Sequence, residues 1–380
     1  MAIQFKATTS TISDLTLHMQ MPGAVATDPQ MEIRQTFFPA EWYPQSGVQL
    51  TWPHADTDWA PYLAEVDECF IRIALEVLMQ GEWLLIVTPE PERVRTLVYQ
   101  RLPARLRAHV RYAVCATNDA WARDHAFLTL VTESGPLLLD YQFNGWGMKF
   151  ASNFDNQICR SLAADSPFAE QVAFVENLDF VFEGGSIESD GHGTLMTTAE
   201  CLLSPNRNPS LTREQIEERL LHDLHAQCLI WIEHGALVGD DTDSHIDTLA
   251  RFAPNDTIAY VQCTDPADEH IESLKAMEVE LQALRTRDDK PYNLVPLPLP
   301  EAMYDPDDGH RLPATYANFL VINNAVLMPT YGQPDMDELA KRQLQKAFPR
   351  HDIVCIDCRV LVRQHGSLHC STMQYPIGVF

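Results

Sequence analysis

The sequence predicts one α/β domain over residues 31–380, preceded by a poorly ordered extension over residues 1–30. Three observations carry this. From Phe38 onward, short apolar runs bounded by Gly, Pro, Asn and Asp alternate with amphipathic stretches. Strand candidates outnumber helical ones, and the two kinds are mixed from end to end. No low-complexity linker divides the chain after residue 30. The first thirty residues are rich in Thr and Ser. They lack the basic start and apolar stretch of a signal peptide.

Taken in order, strands are expected at 47–52, 83–88, 110–116, 127–131, 136–143 and 171–176. Further ones are expected at 193–198, 228–233, 257–263, 293–297, 318–327 and 352–362. These runs are mostly rich in Val, Ile, Leu and aromatic residues, which suit a pleated, half-buried surface. Leu63 to Gln80 carries apolar residues at helical spacing. Thr212, followed by Arg213 and Glu214, is the expected N-cap of a second helix. Helices are also expected at 269–285 and 335–348. No internal repeat is visible by eye.

Charge narrows the partners. With 53 acidic and 27 basic residues the net charge is −26, which repels nucleic acid and anionic membranes and attracts a cationic substrate. The same acidity would also simply keep the protein in solution. No segment is long and apolar enough to cross a bilayer. Nine scattered cysteines form no tight framework, so a reducing, cytoplasmic setting is expected. Cys355 and Cys358 have CxxC spacing. They lie in an apolar run without a partner pair, and read as strand rather than as a metal or redox site.

Four segments hold polar residues that mere structure does not require. In the tail, Cys370 sits beside His369 among small and hydroxyl residues, a setting that favours a thiolate nucleophile. The segment 117–125 gathers Asp119, Arg123, Asp124 and His125 at a strand end; a turn with a solvated ion pair is its plain alternative. Glu183 precedes Gly184 and Gly185, where the backbone can approach a ligand, or where a hairpin would leave the Glu exposed. Finally, Asp240, Asp241, Asp243 and Asp247 surround His245. This run lacks the glycine and terminal glutamate of a calcium loop, and His222 with His225 offers only a weak helical pair for zinc. No metal or cofactor is therefore expected. One cysteine, one histidine and several carboxylates suit attack on a cationic planar carbon. Paired carboxylates would grip a guanidinium, the thiolate would attack it, and the histidine would protonate departing ammonia.

Trp52-Pro-His54, the segment Asn118 to Asp124, Glu183-Gly-Gly185 and Asn206-Arg-Asn-Pro209 stand in a fixed order. Asp241 to Asp247, Tyr316-Ala-Asn318-Phe and His369-Cys370 continue it. Together they resemble the agmatine deiminase and bacterial peptidylarginine deiminase family of guanidine-modifying enzymes, over residues 38–380. The resemblance implies a five-fold pseudosymmetric α/β propeller, the pentein fold, with a central channel. It also implies agmatine as substrate on the way to putrescine, and a homodimer. Cys370 would be the nucleophile and His245 the general acid/base. Asp124 and Asp247 would clamp the guanidinium, and Glu183 would bind a substrate nitrogen or orient His245. Trp121 would pack along the substrate's carbon chain and Asp241 would meet its distal amine. His369 and Trp52 would be supporting residues.

Some positions depart from the family pattern. Ser244 and Thr248 stand where the histidine motif usually carries Gly and Asn. His125-Ala126 replaces Thr-Gly-Pro, and Ser367-Leu368 replaces Asn-Ile before His-Cys. The runner-up substrate is arginine in peptides, whose C-terminal carboxylate calls for arginines near the pocket; the stretch 141–150 offers only Lys149. A non-catalytic binding protein on the same fold would have lost the cysteine or histidine. A metal-dependent ureohydrolase would need Asp/His metal motifs that this sequence lacks.

Overall fold

Five small sheets carry the fold in the computed structural model, which describes residues 36–380. The extension expected over residues 1–30 lies outside the described residues. All five sheets share one pattern. An antiparallel pair is followed by a parallel partner reached through a helical crossover. The parallel pair Gln45–Thr51 and Trp83–Thr88 is bridged by the helix Leu63–Met79. The others use Ile158–Asp165, Arg213–Asp223, Ile271–Ala283 and Pro334–Ala347. The C-terminal strand Thr372–Pro376 pairs with Gln45–Thr51 and completes the first sheet. The repeat that the sequence hides is therefore a repeat of connectivity. Each unit keeps its hydrogen-bond pattern while its side chains have diverged.

Local chemistry explains the elements. Trp83–Thr88 lies between two parallel neighbours and is apolar up to its last residue, Thr88, as suits a strand covered on both faces. The helix Leu63–Met79 buries Val66, Phe70, Ile73 and Val77, the stripe predicted by its spacing. Thr212 caps Arg213–Asp223 in a full capping box with Gln215.

Two expected strands stop early. The run 318–327 is a hairpin of Leu320–Ile322 and Ala325–Thr330. Asn323 turns it, exchanging bonds with the backbone of Gln45. The run 352–362 ends at Asp357, whose carboxylate accepts from the Arg359 amide as the short helix Arg359–Val362 begins. Cys355 is therefore exposed on a strand, while Cys358 is buried at a helix start. The helix Pro91–Arg101 escaped the periodicity reading because it buries only Val94 and Val98. Ile158–Asp165 also went unread, being too short for a clear period. His225 lies past the end of its helix at φ 50°, so it cannot pair with His222 on one face. Residues Thr36–Phe380 pack as one compact unit.

Candidate active site

Each sheet contributes to one site from the same place, the connection leading into its first antiparallel strand. Asp124 precedes Leu128–Thr132, and Glu183 with Gly185 precedes Glu188–Ser189. His245 and Asp247 precede Ala250–Ala253, Asn318 precedes Leu320–Ile322, and Cys370 precedes Thr372–Pro376. Gly185 shows how closely they meet. A Cβ there would lie 2.5 Å from His245 Nδ1, 2.8 Å from Asp124 Oδ1 and 3.2 Å from Asp247 Oδ2. Here the glycine pair serves close approach, and Glu183 is fully buried rather than exposed on a hairpin.

The carboxylates are held differently. Asp124 accepts from the Gly185 amide (3.0 Å) and from Trp146 Nε1 (2.9 Å). Asp247 Oδ2 accepts from His369 Nδ1 at 2.7 Å, whereas its buried Oδ1 has no partner. Both Glu183 oxygens accept from Arg207 Nε (3.0 and 2.9 Å), in a pair with no exposed side-chain surface. His245 lies between them, 3.6 Å from Asp124 and 3.9 Å from Glu183, with neither ring nitrogen hydrogen-bonded. Cys370 Sγ receives Asn318 Nδ2 at 3.2 Å and lies 3.9 Å from Asp247. Buried polar atoms rarely go unpaired, and the free atoms of His245 and Asp247 are left available at this point of convergence.

The electrostatics fit that purpose. Burial, with Asp247 and Asp124 close by, pushes the Cys370 thiol well above its ordinary range. Burial alone would neutralise His245, but Asp124 foremost, then Cys201 and Glu183, raise it well above the usual imidazole value. Burial opposes ionisation of Glu183 and Asp247; Arg207 outweighs it for the first and His369 for the second. Asp124 remains raised by its burial despite His245. Burial and neighbouring charge thus favour the neutral thiol of Cys370 and the protonated ring of His245.

A cleft of about 600 Å³ leads to Asp124 and Cys370. Trp121, Trp146 and Phe150 supply its apolar wall, and Asp58, Asp119 and Asp241 its acidic one; among the described residues no lysine or arginine lines it. Trp121 is wedged against Gly366, where no side chain would fit, and against Trp59. Asp241 lies 3.4 Å from His365 on the same wall. Lys149 is spent on Asp243 and on the Asp241 carbonyl, both at 2.6 Å. His125 is buried with both nitrogens unpartnered, and burial lowers it to about 3.

Two backbone stretches hold this wall under strain. Trp146 and Met148 adopt left-handed φ, as do Asp243 and Ser244. Ser244 therefore occupies a conformation that a glycine would adopt without cost, at the position where the family motif carries one. Its amide donates to Asp240 and its hydroxyl to Glu200.

Sequence reasoning gave no role to Arg207 or Asn318, although both lie in the quoted motifs, and missed Trp146 and Cys201. The signal for Trp146 was its placement between two glycines. Donor atoms of Glu183, Cys201 and His245 lie within 4.8 Å of one another, as do those of Glu41, Glu188 and His369. Arg207 already occupies the first group, and Arg251 bridges Glu41 and Glu188 in the second, so each cluster carries its own cation.

The chain resembles known deiminases in sequence and in structure. A Porphyromonas gingivalis structure provisionally named an arginine deiminase superposes with a TM-score of 0.85 at 51% identity, covering 91% of this chain and 99% of that one. A C. jejuni agmatine deiminase variant with one cysteine replaced by serine, solved with substrate bound, gives 0.82 at 36% identity, covering 91% and 97%. The agmatine deiminase of Stutzerimonas stutzeri is 33% identical over 368 residues, 90% of this chain and 95% of that protein. The sequence profile of the Porphyromonas-type peptidyl-arginine deiminases matches residues 37–376, and the chain belongs to that family.

Proposed function

We propose that the protein is a guanidine iminohydrolase acting on agmatine, converting it with water to N-carbamoylputrescine and ammonia. One observation carries this: the unpartnered atoms of His245 and Asp247 converge with Asp124 and Cys370 at the foot of a cleft whose charged wall is acidic. Asp124 and Asp247 grip the guanidinium as paired acceptors. The arriving cation offsets the two carboxylates that keep Cys370 protonated, so substrate binding itself promotes the thiolate, the thiol proton passing to solvent through the cleft. The sulfur attacks the central carbon, and imidazolium His245 protonates the nitrogen that leaves as ammonia. This forms an S-linked thiouronium. Neutral His245 then takes a proton from water and the hydroxide adds to the same carbon; the C–S bond breaks as the hydroxyl proton passes to the departing sulfur, which returns the Cys370 thiol and leaves the ureido product. Glu183, anchored by Arg207, orients His245.

The cleft favours a substrate with an amine at its far end. Trp121 packs along the carbon chain and Asp241 meets the ammonium. The rival reading, arginine in peptides or free arginine, draws support from the family name and from the P. gingivalis relative. It would require a cation for the carboxylate, and Lys149 is already paired. For the architecture, we propose that the five sheets close into a ring around the site, with Thr372–Pro376 returning to share a sheet with Gln45–Thr51. Residues 31–380 would form the single catalytic domain. Ammonia release from agmatine, arginine and a C-terminal-arginine peptide, with C370A as control, tests the reading. Turnover of agmatine lost in C370A is expected. Turnover of the peptide alone would overturn the substrate, and full activity in C370A the mechanism.

A further inference from the structure

Residues next to the candidate site line a second cleft, of about 560 Å³, on the other side of the same backbone. Asp124, Glu183 and Cys370 belong to the reacting site. Their neighbours Arg123, Gly184 and His369 line this second space, with Glu41 and Glu188. The three segments thus form a septum. The hydrogen bond between Asp247 and His369 crosses it.

His369 is 1% exposed and lies between two carboxylates, with Nδ1 2.7 Å from Asp247 Oδ2 and Nε2 2.7 Å from Glu41 Oε2. Each contact needs a hydrogen on the ring nitrogen, because two lone pairs cannot meet at that distance. Arg251 Nη2 approaches Nε2 to 3.0 Å, but it donates to the same Glu41 oxygen at 2.7 Å. A hydrogen on each ring nitrogen would satisfy both carboxylates at once. Arg251 also pairs with Glu188, and Arg123 Nη2 stands 3.8 Å from Glu41 with no hydrogen-bond partner. On the substrate side, Asp247 faces His245, Cys370 and Asp124. Two carboxylates this close would otherwise favour sharing one proton, as paired acids do.

We propose that His369, held by Glu41, is a positioning residue that keeps Asp247 ionised and aimed at the substrate's guanidinium, a role that rests on the guanidinium reading of the site. The two carboxylates of the clamp are thereby made unequal. Asp124 accepts its hydrogen bonds from a backbone amide and an indole, and Asp247 from an imidazole tied on its far side to Glu41.

The test uses the full chain and does not depend on knowing the substrate. Alkylation of Cys370 by chloroacetamidine, a cation, is compared with alkylation by chloroacetamide, its neutral counterpart, between about pH 6 and 8, the range that spans a raised carboxylate. H369N keeps a neutral donor toward Asp247 and removes the charge; E41Q leaves His369 in place and weakens its hold on the proton. Thermal melts of both variants report folding. Wild type should prefer the cationic reagent throughout. In H369N that preference should fall about tenfold at the acidic end, the effect of an Asp247 carboxyl that titrates about one unit above that pH, and recover toward pH 8. E41Q should move the same way by less. An unchanged preference in both variants, or an equal loss for both reagents at every pH, would overturn the proposal. No cationic preference in wild type would overturn the guanidinium reading itself, and this role with it.

Discussion

A single methyl group at Gly185 should inactivate the enzyme while leaving most of it folded. Gly185 has ordinary negative φ, so alanine brings no backbone strain, and its whole effect falls on the side chains that the new Cβ meets. The nearest is His245 Nδ1 at 2.5 Å, about 0.9 Å short of ordinary van der Waals contact, with Asp124 Oδ1 next at 2.8 Å. Both are buried and neither can swing into solvent, so His245 and Asp124 must shift by a large fraction of an ångström. Misplacing reacting groups by about 1 Å costs on the order of a hundredfold in rate. Overpacking by one methyl costs about 1–3 kcal/mol of stability, which a domain of this size survives. Steady-state ammonia release on agmatine, with a thermal melt of the same preparation, measures both. The expected result is kcat/KM down about a hundredfold or more with a melting temperature lowered by only a few degrees. Wild-type kcat/KM in a folded G185A would refute the convergence of His245, Asp124 and Asp247 on that point.

Other outcomes follow from the same geometry. Cys370 is held as a thiol above its ordinary range, so alkylation by neutral iodoacetamide should keep accelerating up to about pH 9; a plateau reached by neutrality would contradict that. D241N should raise KM for agmatine roughly fivefold with little change in kcat, about 1 kcal/mol for a partly exposed ion pair; equal KM values would remove Asp241 from the amine site. Glu82 concerns stability instead. Burial raises it to about 7, against one bond from the Asn323 amide. A carboxyl raised on folding costs stability as pH climbs from its unfolded value of 4.5 to about 7, by about 3 kcal/mol in all. E82Q should therefore be more stable than wild type at pH 8, and the gap should close near pH 4.5 in denaturant titrations. A gap independent of pH would show that Glu82 is not the titrating group.

The fold was legible where the period was strong. Trp83–Thr88 is bounded as expected, and the capping box of Thr212 is visible in four consecutive letters. The boundaries at Asn323 and Asp357 were not, because a side chain bonded to a distant strand, or to its own turn, overrides an apolar run. Among site residues, Cys370, His245, Asp124, Asp247 and Glu183 lie in segments whose residue types suit guanidine chemistry, and the family resemblance gives each its expected role. Arg207, Trp146 and Asn318 passed unassigned, since nothing in their own segments says which carboxylate or thiol they will face. His369 was read as support, and its bond through the septum is a fact of three dimensions.

The sequence by itself determined the chemistry: a nucleophile, an acid/base, acceptors for a cation, and an α/β pattern to hold them. Residue type sets what a group can donate, accept or attack, and type is written locally. Only the tertiary structure decided that these groups meet. Five connections, one before each sheet, bring Asp124, Gly185, Asp247, Asn318 and Cys370 from across the chain into one place. It also decided their ionisation, which depends on burial and on neighbours up to hundreds of residues away, such as Glu41 behind His369.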